Sequence, residues 1–197
     1  MRLLVVHAHP VETSFNAAVH GAAVETLAAA GHEVRDLDLY AMGFDPVLGR
    51  QERIDYHEPA LNTARIAEHV AHLRWAEGVI LVYPTWWYGM PAILKGWIER
   101  VWVPGVAFTL GRGLVPIQRG LPNIRLLVGI TSYGSPPWLV WWAGDGGRRI
   151  VRRALRPLCH PRCRVLWLGL YRMDGATPAR RAAFLAEVRA RLAALAV

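Results

Sequence analysis

Three short segments of this 197-residue chain carry residue types able to do chemistry. In the first, His7-Ala8-His9-Pro10 and Thr13-Ser14-Phe15-Asn16 follow an apolar run and open a helical pattern. Backbone N–H groups at a helix N-terminus bind phosphate, and hydroxyls on Thr13 and Ser14 would assist. The same residues also suit plain helix capping. His9 offers a donor to a phosphate, a base, or only a structural ring at a strand end. The second segment, Pro84-Thr85-Trp86-Trp87-Tyr88-Gly89, puts three aromatics in one turn, between an apolar run and a helix opened by Pro91. Large aromatics grouped at a surface mark a contact site, and a flat ring lying on the turn is one such contact. The third, Thr131-Ser132-Tyr133-Gly134-Ser135, closes another apolar run with hydroxyls and a glycine. Together the three suit a planar ring with a phosphate tail, which describes a flavin. The alternative is an aromatic-rich packing surface, and Trp138, Trp141 and Trp142 suit a subunit interface under either reading.

Other chemistries lack their residues. Gly111-Arg112-Gly113 has no third glycine, and Lys95, the only lysine, follows no phosphate-binding loop. No serine or cysteine sits on a Gly-x-Ser-x-Gly elbow. His57, His69 and His72 form no His-Glu-x-x-His zinc pattern and read as solvent-facing loop or helix residues. Cys159 and Cys163 have only His160 beside them as a further ligand, so no metal is expected and both read as buried thiols.

The net charge of +8 is unevenly spread, with 7 basic against 12 acidic residues up to Glu99, then 16 arginines against Asp145, Asp174 and Glu187. Arg148, Arg149, Arg152, Arg153 and Arg156 fall at helical spacing between Gly147 and Pro157. A nucleic-acid face adds base-reading or stacking residues to such a stripe. Here the aromatics precede it, so no nucleic-acid partner is expected and a solvated or phosphate-facing helix is. Hydrophobic content of 53% with 19% charged residues fits one globular domain. No apolar run reaches the ~18 residues of a bilayer span, and His7, His9 and Pro10 interrupt any secretory layout at the N-terminus. A soluble cytoplasmic protein is expected.

The elements that must position these segments alternate strand and helix. Strands are expected at Leu3–Val6, Glu33–Leu39, Val79–Tyr83, Ile124–Thr131 and Val165–Tyr171. Helices are expected at Ser14–Ala30, Glu58–Ala76, Pro91–Trp102, through the arginines, and from Thr177 to about Leu195. Such alternation implies a parallel sheet covered on both faces, a doubly wound three-layer α/β sandwich. Five strands suit the order 2-1-3-4-5, with ligands at the carboxyl edge near the switch point. That edge is where all three segments fall.

At this level of detail the chain resembles the NAD(P)H:quinone oxidoreductase branch of the flavodoxin-like fold, which includes DT-diaphorase, the modulator of drug activity B and the oxidoreductase ancillary to potassium efflux. The resemblance rests on His7-Ala8-His9-Pro10 with Thr13-Ser14-Phe15-Asn16, on Asp38-Leu39-Tyr40-Ala41-Met42 with Phe44 and Pro46, and on Pro84 through Val101. It covers roughly residues 2 to 135 and implies a flavoenzyme, FAD or FMN, with NAD(P)H as co-substrate. By position, His9, Thr13, Ser14, Phe15 and Asn16 would hold the phosphate and ribityl chain. Pro84, Thr85, Trp86, Trp87 and Tyr88 would run along the ring, with Thr131, Ser132, Tyr133 and Gly134 flanking it. A quinone, azo or nitro acceptor would meet Trp87, Phe108, Tyr133 and Trp138 in a ping-pong cycle of hydride transfer, in a homodimer. The resemblance also leaves open a regulatory flavoprotein subunit on a membrane transporter, and a flavodoxin-like electron carrier. In the family the loop after the fourth strand often reads Thr-Thr-Gly-Gly, with a tyrosine and a histidine further on. Neither stands in the loop that follows Ser135 here, which carries Trp138, Trp141 and Trp142, so no side-chain acid or base is carried over.

Overall fold

The computed structural model describes residues 1–111 and 117–195, so Arg112 and Gly113 of the glycine pair lie outside the described residues. In chain order the elements are β1 (Arg2–His7), α1 (Phe15–Ala29), β2 (Glu33–Asp38), α2 (Arg50–Ile54), α3 (Ala67–Trp75), β3 (Gly78–Pro84) and α4 (Ala92–Val101). Then come β4 (Phe108–Thr109), β5 (Gln118–Arg119), β6 (Leu126–Ser132), α5 (Pro137–Trp142), α6 (Gly146–Arg149), β7 (Arg164–Leu170) and α7 (Pro178–Ala193).

Successive strand residues face opposite sides of a sheet, and here both sides are apolar. Leu4 and Val6 of β1, with Val79, Leu81 and Tyr83 of β3, enter the core under α3 and α4. Leu3, Val5, Ile80 and Val82 enter the core under α1 and α7. Coverage on both faces explains why these strands read as unbroken apolar runs. The sheet is parallel throughout, in the order β2-β1-β3-β6-β7, with Val5 opposite Ile80 and Val82 opposite Ile130. It is the expected flavodoxin-like three-layer sandwich, with its switch point between β1 and β3. Thr177 caps α7 through its side chain, which accepts from the N–H of Arg180, with Pro178 at the first helical position.

Four local expectations are corrected. The helix expected from Glu58 is helical only over Ala67–Trp75. The buried Asn62 donates to the carbonyls of Tyr56 and Pro104, both at 2.9 Å, and these tertiary bonds hold the preceding stretch in turns. His69 is buried, accepting from Trp97 Nε1 at 3.3 Å with Phe44 edge-on to its ring; it does not face solvent. The arginine helix is not one regular rod: α6 widens over Ile150–Leu155 into a turn closed by i→i+5 bonds, then tightens at Arg156–Leu158. The tryptophans before it, outside every helix expected from the sequence, form the short helix α5. Cys159 and Cys163 are buried, as expected. No helix among the described residues is long and apolar enough to cross a membrane.

Candidate functional site

After β1 the chain turns into α1 with Ser14 as its cap, Oγ accepting from the N–H of Ala17 at 3.1 Å. The first N–H groups of a helix have no intrahelical acceptor, so those of Phe15 and Asn16 are open to a ligand. The side chain of Asn16 is not: it is buried, with Oδ1 3.1 Å from His7 Nε2. His7 Nδ1 lies 3.0 Å from Asp38 Oδ2, and the N–H groups of Tyr40 and Ala41 donate to the other carboxylate oxygen. Burial lowers the pKa of His7 against the opposing pull of Asp38. Burial alone would raise Asp38, but the Ala41 N–H, His7 and the Tyr40 N–H together hold it below the usual carboxylate range.

His20 stacks on His7 at 4.2 Å with ring planes 3° apart, which brings His7, His20 and Asp38 close enough to suggest a metal cluster. An imidazole lone pair lies in its ring plane. Two parallel stacked rings therefore cannot both direct a nitrogen at one ion, and the group is better described as a hydrogen-bond network with His20 on Asp36 at 2.7 Å.

The turn after β3 is the most constrained part of the site. Trp86 and Gly89 exchange backbone bonds, N–H to carbonyl, at 3.2 and 2.9 Å. Between them Trp87 and Tyr88 both adopt left-handed backbone, with φ of 50° and 58°. Asn-Gly usually occupies such a turn, because left-handed backbone costs about 1–2 kcal/mol for each residue carrying a Cβ. Trp87 is 99% exposed, while Trp86 sits with its ring 6.0 Å from that of His9. The strain is held from two sides: Tyr88 Oη lies 3.0 Å from Ser135 Oγ, and the Tyr88 carbonyl accepts from the N–H of Gly146 at 3.0 Å.

The loop after β6 closes the arrangement. The Thr85 N–H donates to the Ser132 carbonyl at 2.8 Å, and the Thr85 and Thr131 hydroxyls are 2.8 Å apart. Gly134 lies close under the Asp174 carboxylate: a Cβ there would stand 2.7 Å from Oδ2 and would turn that exposed side chain aside. Tyr133 is buried, its ring stacked on Tyr171 at 4.6 Å. Its hydroxyl donates to Asp145 Oδ1 and accepts from Trp167 Nε1, each at 3.0 Å. Burial and the Asp145 carboxylate hold that hydroxyl far above the usual tyrosine range. It stays protonated and engaged.

Two adjoining clefts result, of about 280 Å³ and about 520 Å³, both lined by Thr85, Trp87 and Gly134. The smaller adds Tyr88, Tyr133 and Ser135; the larger adds Pro84, Trp86 and Ser132. On the far side of Trp86, a hollow of about 440 Å³ contains His9, Pro10 and Glu12. Two expected acceptor contacts lie elsewhere. Phe108 is half-buried against the core on β4, and Trp138 stands 66% exposed on α5, neither lining these clefts. Met173 and Asp174, which do line the larger one, were missed. Their signal was the Asp174-Gly175 pair just past the carboxyl end of the last strand, where this fold places ligands.

A family model described as "Flavodoxin-like fold" matches residues 1–195. The chain is 39% identical to rat NAD(P)H dehydrogenase (quinone) 1 over 152 residues, covering 68% of this chain and 54% of that protein. It spans about half the length of the curated relatives it matches. Among solved structures, Smu.1420 from Streptococcus mutans is 29% identical with a TM-score of 0.83, covering 99% of this chain and all of that one. The fold is shared also with an FMN-dependent NADH-azoreductase from Bacillus anthracis in complex with FMN, 13% identical, TM-score 0.78, covering 100% of this chain and 99% of that one.

Proposed function

Since the chain belongs to the flavodoxin-like-fold family, we propose that it is a flavin-dependent NAD(P)H oxidoreductase, reducing quinones or related azo and nitro aromatics by two electrons in a ping-pong cycle. The observation that carries the reading is the strained Trp87-Tyr88 turn, fastened to Ser135 at the carboxyl edge of the sheet. Left-handed backbone at bulky residues persists only where the surroundings enforce it, and it clusters at binding sites. The names of the quinone and azo-compound reductases among its relatives support the same chemistry.

The chemistry a bound flavin supplies is hydride exchange between a nicotinamide and an electron acceptor. The residues present fit such a group. Open N–H groups of Phe15 and Asn16 at the start of α1, beside Thr13, would take its phosphate. Backbone from Pro84 to Tyr88 and from Ser132 to Gly134 would border its ring, where N–H groups stabilise negative charge. Trp87 would stack on whichever substrate enters, nicotinamide or acceptor. Tyr133, locked between Asp145 and Trp167, would hold the loop without moving a proton, so the acceptor's protons come from solvent. The exposed Trp138 of α5, which lines none of the clefts, supports a homodimer. The test is flavin retention: protein mixed with FMN or FAD and desalted should stay yellow with stoichiometric flavin. Colourless protein under both conditions overturns the reading.

A further inference from the structure

A cleft of about 940 Å³ opens beside the aromatic turn, between α5 and the helical stretch that begins at α6. Trp141 and Trp142 line it from α5, and Arg148, Arg149, Arg152 and Arg153 line it from the following helix. Among the described residues, none of these four arginines has a carboxylate within ion-pair distance. The one acid in the cleft, Asp145, is engaged by the Tyr133 hydroxyl. Arg148 Nε is buried and has no hydrogen-bond partner.

Like charges gathered in one concavity raise its positive potential and attract an anion. Guanidinium groups bind phosphate through paired N–H donors, and exposed indole faces stack a planar base. A volume of this order suits a nucleotide-sized ligand. The cleft also has a direction: Val140 lines both it and the smaller cleft over Trp87 and Tyr88. A ligand with a planar reactive ring at one end and a phosphorylated adenosine at the other would span both.

We propose that the arginine–tryptophan cleft binds the 2′-phosphoadenosine end of NADPH and makes the chain selective for NADPH over NADH. This rests on the coenzyme reading of the adjacent site. The arginines have nothing to gain from an unphosphorylated ribose, whereas a 2′-phosphate adds a dianion among four guanidinium groups that lack carboxylate partners.

The probe is adenosine 2′,5′-bisphosphate against adenosine 5′-monophosphate, titrated calorimetrically into the purified protein, which needs no turnover. The bisphosphate should bind at least about tenfold more tightly, with an affinity that falls steeply with salt. Arg152 and Arg153 are exposed, so the Arg152→Gln/Arg153→Gln variant should fold, as its melting curve will show. It should erase that preference, and in flavin-loaded protein it should bring the NADPH-to-NADH ratio of apparent affinities close to one. Equal binding of the two adenylates, or a preference untouched in the folded double variant, overturns the proposal. Bisphosphate binding by protein that takes up no flavin would leave the cleft standing and remove the oxidoreductase reading. Flavin reduced equally by NADH and NADPH, with no discrimination between adenylates, would do the reverse.

Discussion

Tyr88 Oη lies 3.0 Å from Ser135 Oγ, a hydrogen bond that fastens the tip of the turn after β3 to the loop after β6. The two loops leave neighbouring strands, paired from Gly78 with Leu126 to Pro84 with Ser132, so the sheet brings their ends together and the side chains lock them. Tyr88→Phe keeps the ring and removes the lock. A hydrogen bond of this kind contributes about 1 kcal/mol, so flavin affinity should fall roughly fivefold in Tyr88→Phe and in Ser135→Ala. In fluorescence titrations the double variant should lose no more than either single one. Additive losses would show that the two side chains act separately.

The turn itself should trade stability for binding. Trp87 has left-handed backbone and almost no contact with the protein, so Trp87→Gly removes strain and costs little packing. The expected gain is about 1 kcal/mol, a rise of roughly 2–4 °C in the thermal midpoint for a domain of this size. Acceptor KM should rise at the same time. A midpoint that drops would mean that Trp87 packs in a way its exposure does not suggest.

Away from the clefts' lining residues, Arg100 of α4 anchors the segment before and through α2. Its Nε and Nη2 donate to Glu52 Oε1 at 3.0 and 2.6 Å, and Nη1 donates to the Asp45 carbonyl. Both side chains are largely buried. Removing one partner strands the other charge, so Arg100→Met should cost about 3–5 kcal/mol in urea unfolding. Arg100→Met with Glu52→Leu should recover much of that loss. Equal or greater loss in the double variant would contradict the pairing.

Acid should weaken the fold before any carboxylate titrates. Burial lowers His7, His69 and His32 below the ordinary 6.5. A histidine held below its unfolded value binds fewer protons when folded. The stability it contributes is full above 6.5 and is lost as pH falls from there toward the folded value. Asp38, held below 3.8, adds a loss of the same sign at lower pH. The thermal midpoint should therefore drop between about pH 7 and about pH 5, and less so in His7→Gln/His69→Gln. A midpoint flat across that window would contradict the burial of both rings.

The strand order and the three loops of the candidate site were legible because both faces of the sheet are covered, which writes β1, β3 and β6 as apolar runs ending in hydroxyls, prolines and aromatics. What escaped depends on partners distant in sequence. His69 reads as a helix-surface residue until Trp97 arrives 28 positions later to donate to it. The stretch before α3 has a helical pattern, yet Asn62 bonds a carbonyl 42 positions away and holds the chain in turns. Asp174 lines the site from just beyond β7, two residues after Arg172 turns the chain through left-handed backbone. Tyr133 has the composition of a ligand contact, but Asp145 and Trp167 claim its hydroxyl.

The proposed chemistry is tested most directly by an anaerobic two-step titration of the flavin-loaded protein. Stoichiometric NADPH, added alone, should abolish the visible flavin absorbance, and a quinone added after removal of the spent coenzyme should restore it fully. Absorbance that falls only when both substrates are present, or that no acceptor restores, would contradict a ping-pong flavin oxidoreductase.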